Sequence, residues 1–277
     1  MKLNIIRHDF TLLGLFILAV IGIFVTGIYF PLFTLPIDIL IPIIGLTFLI
    51  HKLRIGKSLS DIGLHWNKSV SRNSIDAIFL VILTIAIVYI INLLMNNSLY
   101  FHNTIFVQDF SENNQPDNNY HFYRIANLLI LVLIEELVFR GVGFQILIDR
   151  FGAGISLIIS SLIFTGFHYL NPAISFLGML NIFLAGLLIG LMYIKSRSLY
   201  PMIIFHFAWN FALAYIINSP VSGRIISGSA DLAVNHTSTI QTLLLGGAFG
   251  LEEALLTTIL LLIMIVLVNR FFNRGLN

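Results

Sequence analysis

The 277-residue sequence contains no cysteine, which removes disulfides, thiolate metal sites and cysteine nucleophiles together. Charge is scarce as well. Asp, Glu, Lys and Arg make up 10% of the chain, against about 25% in an average soluble protein. With 58% of residues apolar, a water-exposed surface of this make-up would aggregate. A formal net charge of +2 is too small to point to nucleic acid. Three plans for peptide hydrolysis inside a membrane are also missing. There is no His-Glu-x-x-His zinc motif, no pair of aspartates falls within an apolar run, and the serines near Gly223 and Gly228 lie in a loop stretch without a nucleophile motif.

Long apolar runs fill the space these absences leave. They fall near 10–30, 36–50, 74–95, 124–148, 153–170, 174–194, 199–217 and 248–268, most of them long enough to cross about 30 Å of hydrocarbon. The expected fold is all-α, a polytopic helical membrane bundle of about eight transmembrane helices forming a single integral membrane domain over 1–277. Pro31, Pro36 and Pro42 interrupt the second run, so it reads as a kinked or re-entrant segment as readily as a straight span. The first run is too long for a secretion signal and lacks a small-residue cleavage pattern, so an uncleaved anchor is expected.

Placement of the basic residues tests that count. Lys2, Arg7, Lys52, Arg54, Lys57, Lys68, Arg72, Arg150, Lys195, Arg197, Arg270 and Arg274 all fall on one face of an eight-span chain. That face is expected to be cytoplasmic, with both termini on it, in a multi-pass cell-membrane protein. The other face receives Arg124 and Arg224 together with Asp109, Glu112 and Asp117, in the polar loop 96–120 and a second loop at 218–247. Seven spans would scramble the alternation. No internal repeat stands out that would favour a secondary transporter.

Charges inside spans are costly, by about 2.5–3.5 kcal/mol each on insertion scales, and here they cluster. The fourth run carries Glu135, Glu136 and Arg140; the fifth carries His168; the seventh carries His206 and Asn210. Residues four apart on a helix share a face, so Glu136 stacks with Arg140 and His206 with Asn210. Glu136 can thus be neutralised within its own helix. Glu135 must find a partner on another. Glu252 and Glu253, after the Gly-rich turn 246–250, are expected to cap or anchor a loop.

A carboxylate, two imidazoles and a carboxamide on three helices suit attack of water on an amide, which needs a base for the proton and a donor or metal for the developing oxyanion. In that scheme Glu135 deprotonates a water held by His168, while His206 and Asn210 bind the carbonyl oxygen. If a divalent metal such as zinc is bound, His168 and His206 are its natural ligands. Similar residue types serve an ion or proton pathway, or a buried polar lock in a nonproteolytic immunity or scaffold protein that binds a peptide or partner protein.

Glu135-Glu136-x-x-x-Arg140, Phe164-x-x-x-His168 and His206-x-x-x-Asn210, in this order on successive spans, resemble the three motifs of the CPBP family, which groups type II CAAX prenyl endopeptidases with bacterial proteins linked to bacteriocin processing and self-immunity. The Gly-rich stretch at 246–252 also looks like a feature of bacterial members. The resemblance covers 135–210 directly and places a family-like catalytic core at about 124–217. It implies an intramembrane endopeptidase, classed within the family as a metalloprotease, whose first glutamate, here Glu135, activates water. It further implies that His168, His206 and Asn210 complete the site and that Glu136 and Arg140 support its geometry. The expected substrate is an unprenylated membrane-associated peptide or protein.

Overall fold

The computed structural model describes residues 2–29, 36–55, 62–94, 120–226 and 239–272. Pro31, Lys57, Asp109, Glu112, Asp117, Gly228 and Arg274 lie outside the described residues, as do the side chains of Lys2 and Arg7. Among the described residues no strand forms, and the backbone closes only two isolated bridges, Val221 with Arg224 and Gly247 with Gly250. Helices follow in the order α1 Lys2–Tyr29, α2 Ile37–Ile55, α3 Lys68–Leu94, α4 Tyr120–Arg140, α5 Val142–His168, α6 Phe176–Ser196, α7 Tyr200–Phe211, α8 Thr239–Leu245 and α9 Leu255–Phe271. The protein is an all-α membrane bundle. Four helical stretches, Asp9–Gly27, Lys68–Leu94, Phe176–Ser196 and Tyr200–Ile217, are long and apolar enough to cross a membrane, and α9 adds a shorter apolar helix.

Local signals account for several boundaries. The Asn67 side chain accepts from Val70 N at 2.9 Å and the Ser175 hydroxyl from Gly178 N at 3.0 Å, so each satisfies a donor orphaned at a helix start. Pro201 sits in the first turn of α7, where a missing N–H costs nothing. Pro42, by contrast, is carried inside α2, so the second apolar run is helical through that proline.

The helices break at two glycines, one inside the fourth apolar run and one in the gap between the fourth and the fifth. The run expected to be helical over 124–148 stops at Arg140, and Gly141 takes φ −69°, ψ −139° before α5 resumes at Val142. A Cβ at Gly141 would lie 2.2 Å from the Leu137 carbonyl oxygen. Within α5, Gly152 adopts φ 76°, ψ 166°, a conformation that side chains with a Cβ rarely reach. Residues 142–151 thus form a separate helical piece between the fourth and fifth long segments. The far end of α7 has its own irregularity. Its helix widens into a π-helix over Ala212–Ile217, which ends at Asn218 in the left-handed region (φ 59°).

Most buried apolar side chains join one contiguous core drawn from α1 through α9, with Ile43, Phe144, Leu188, Met202 and Leu213 fully enclosed. A smaller cluster of Phe164, Ile182 and Phe249, with Phe139 and Ile174 against it, packs beside the polar residues described next.

Candidate functional site

Helix α4 delivers both acids, and the one-residue offset between them gives them different surroundings. Glu136 is fully buried, whereas the side chain of Glu135 keeps about a third of its surface open (32%). Their common neighbour is His206 on α7. Its Nδ1 lies 2.7 Å from Glu136 Oε1 and its Nε2 3.8 Å from Glu135 Oε2. A carboxylate facing a ring nitrogen at hydrogen-bond distance accepts, so Nδ1 carries the proton and Nε2 is left for other chemistry.

The stacking of Glu136 and Arg140 is present but is the longer contact. Arg140 Nη1 stands 3.4 Å from Glu136 Oε1, while Arg140 Nη2 donates to the Gly186 carbonyl at 3.4 Å. The Arg140 guanidinium carbon lies 4.3 Å from the centroid of Phe164, close enough for a cation–π contact that a desolvated site strengthens. The expectation that Glu136 is neutralised within its own helix is therefore incomplete. Its shorter bond crosses to α7, because the helix crossing, which spacing along one chain does not encode, brings His206 over it.

His168 closes the α5 segment. Its Nδ1 donates to the Phe164 carbonyl at 2.9 Å, and since a carbonyl only accepts, this tautomer also leaves Nε2 free. Phe164 stands between the two histidines, with ring centroids 4.5 Å from His168 and 6.4 Å from His206. His168, His206 and Asn210 line one cavity. Glu135 does not line it and meets the set through His206.

Several lining residues have no counterpart in the motifs. Asn181, Trp209, Ser222 and Glu252 border the same cavity. Glu252 accepts from the Ser222 backbone N–H. Asn181, buried on α6, donates to the Glu252 carbonyl at 2.8 Å and the Ala254 carbonyl at 2.9 Å, while its own oxygen accepts from Thr258 at 2.6 Å. Glu253 behaves as a loop anchor, accepting from Gly247 N and Phe249 N at 2.9 Å each. Glu252 differs: it anchors a loop and also faces the site. An amide within an apolar span was the available signal for Asn181; for Glu252 the adjacent pair of acids gave no hint of which faces inward.

The two free imidazole nitrogens are of the kind a metal uses, but a stable site takes three or four protein ligands. Among the described residues no three His, Asp or Glu side chains converge as a ligand set, so the residues present do not fit a metal centre built on His168 and His206.

No curated protein and no solved structure matches the chain. Residues 117–212 match the family model described as Type II CAAX prenyl endopeptidase Rce1-like, a stretch that contains every one of the motif residues from Glu135 to Asn210. Over that stretch the chain is similar to the Rce1-like endopeptidases, in line with the CPBP resemblance of its three motifs, and the match supports an intramembrane protease of the CAAX type.

Proposed function

We propose that the protein is an endopeptidase that hydrolyses a peptide bond of a membrane-associated substrate with water activated by Glu135. The observation that carries this reading is the position of His206, whose Nδ1 is held by Glu136 at 2.7 Å and whose Nε2 stands 3.8 Å from Glu135. Fixing the tautomer through a buried acid leaves a lone pair beside a second acid that is partly open to water. A water between Glu135 and His206 Nε2 has an acceptor for each of its protons.

Glu135 takes one proton as the water oxygen bonds to the carbonyl carbon, and the Asn210 amide donates to the carbonyl oxygen as charge develops there. Collapse of the tetrahedral adduct breaks the C–N bond, and the proton on Glu135 passes to the leaving amine. His168 Nε2 is free to accept from a substrate N–H. Arg140 compensates the buried charge of Glu136 and so positions His206 indirectly. No step runs through a metal ion. In this reading residues 1–277 form a single domain with eight spans, and both termini and the basic face are cytoplasmic.

Mass spectrometry of membrane-fraction peptides from cells carrying the wild-type chain or Glu135→Gln tests the proposal. The variant is expected to insert normally and to leave at least one precursor uncleaved. Identical peptide sets at equal protein levels would instead leave a nonproteolytic binding role for the same residues.

A further inference from the structure

The bundle has two chemically different ends, and the cavity belongs to one of them. At the first end, Arg54 at the close of α2 bonds Asp9 of α1 at 3.1 Å and Asp149 of α5 at 2.8 Å. Arg150 joins Asp9 as well, through Nε at 2.8 Å. Lys195 at the close of α6 donates to the Asn269 carbonyl of α9 at 2.7 Å. The turn at Gly63 is held against the α6–α7 connection by Leu199 N and Ser198 Oγ, both of which donate to the Gly63 carbonyl. Lys52, Arg54, Lys68, Arg72, Arg150, Lys195, Arg197 and Arg270 all stand at this end. Among the described basic residues, only Arg124 and Arg224 belong to the other.

The loops of the opposite end are tied to one another and to the cavity. The turn after α7 contains Ser222 and Gly223, both at positive φ (49° and 78°), and the Ser222 N–H is taken by Glu252. Leu251 N donates to Ser219 Oγ at 2.9 Å, and Asn181 clamps residues 252–254. The cavity runs from Ile189, Phe205 and Leu261, in the middle of α6, α7 and α9, up to Ser222 and Glu252. The loop residues that line it come solely from this end. At 1.5 Å per residue, Asn181 lies about 22 Å above Ser196 and Thr257 about 20 Å above Arg270, in a hydrocarbon layer of about 30 Å.

A face rich in Lys and Arg is retained in the cytoplasm. We infer that the cavity opens on the extracytoplasmic side and that its substrate is a peptide segment presented there, translocated or anchored in the outer leaflet, not a lipid-anchored tail on the cytoplasmic leaflet. This rests on the proteolytic reading of the site, but access can be measured without turnover.

The lack of native cysteine makes single-cysteine labelling direct. Full-length Ser222→Cys, Leu170→Cys and Trp66→Cys are expressed in bacteria, and a charged, membrane-impermeant maleimide is applied to spheroplasts and to inside-out vesicles. Leu170 is 87% exposed in the turn after His168, and Trp66 is 57% exposed near Gly63. The Ser222→Cys and Leu170→Cys variants are expected to react at least tenfold faster in spheroplasts, and the Trp66→Cys variant at least tenfold faster in inside-out vesicles. Reaction of Ser222→Cys from the same side as Trp66→Cys overturns the inference, as does a Ser222→Cys thiol that reacts from neither side while Leu170→Cys reacts in spheroplasts. Should Ser222→Cys fail to fold, reaction of Leu170→Cys from the vesicle side alone suffices to overturn it. A wild-type chain that cleaves no membrane-fraction peptide would sink the proteolytic reading and leave the access result standing.

Discussion

Two clusters of acids and bases stand at different depths of the same bundle and are built on opposite logic. Near the basic end, Asp9 is shared by Arg54 and Arg150, and Arg54 also reaches Asp149. Both acids of this cluster meet a permanently charged guanidinium, and the result joins α1, α2 and α5. In the interior, one guanidinium serves two adjacent acids at a distance. Glu136 spends its shortest bond on an imidazole, and Glu135 stands 3.8 Å from the same ring. The first arrangement spends its charge-assisted bonds on joining helices. The second leaves an imidazole nitrogen and a carboxylate side by side with capacity to spare, as catalysis requires.

Substitutions that remove one acid at a time test this contrast. Glu135→Gln is expected to lower turnover about a thousandfold, within the range for a lost general base, while the purified protein keeps its helical circular dichroism and thermal transition. A drop of less than tenfold would move the base elsewhere. Glu136→Gln leaves Arg140 buried without a full counter-charge, and breaking such a pair costs about 3–5 kcal/mol. Its unfolding transition in detergent should shift down clearly, with activity per folded molecule falling less than in Glu135→Gln. A variant of Glu136 that is fully stable yet inactive would make both acids catalytic.

Asp9→Asn is expected to cost about 1–3 kcal/mol, the penalty for weakening charge-assisted bonds in a partly buried site, with cleavage per folded molecule unchanged. If turnover falls in step with Glu136→Gln, the two clusters are coupled and the contrast fails. The smallest effect is expected from metal removal. Exhaustive treatment with a chelator should leave turnover within twofold, because no third ligand joins His168 and His206 among the described residues. Loss of activity that added zinc restores would show that a ligand set assembles on substrate binding.

Part of this was readable from residues alone. Scarce charge identified a membrane bundle, and the four-residue spacing correctly stacked Glu136 under Arg140, because both depend only on composition or on one helix. The Glu136–His206 bond depends on how α4 crosses α7, which leaves no mark on periodicity. The break at Gly141 escaped hydropathy because a single glycine does not end an apolar run, whereas Gly152 falls in the gap that hydropathy had drawn between 148 and 153. Glu252 was placed with Glu253 as a loop anchor; only the fold of the 246–254 turn, clamped by Asn181, separates the one acid from the other.

The π-helix over Ala212–Ile217 links these observations to length. Such a wide turn accommodates one more residue than an α-helical turn of the same rise, so the chain between Asn210 and Ser222 is one residue longer than a regular helix would need. Deleting Ala214 would let the segment relax to α-helical pairing, and the residues beyond it would keep nearly the same facing relative to α7, because the wide turn had absorbed the extra residue. The turn at Ser222 would stay beside Glu252, and His206 and Asn210, upstream of the deletion, would keep their places. The surplus residue is therefore taken up locally, and a single-residue deletion there removes the wide turn from the wall between the rim of the cavity and its floor without changing the phase of either.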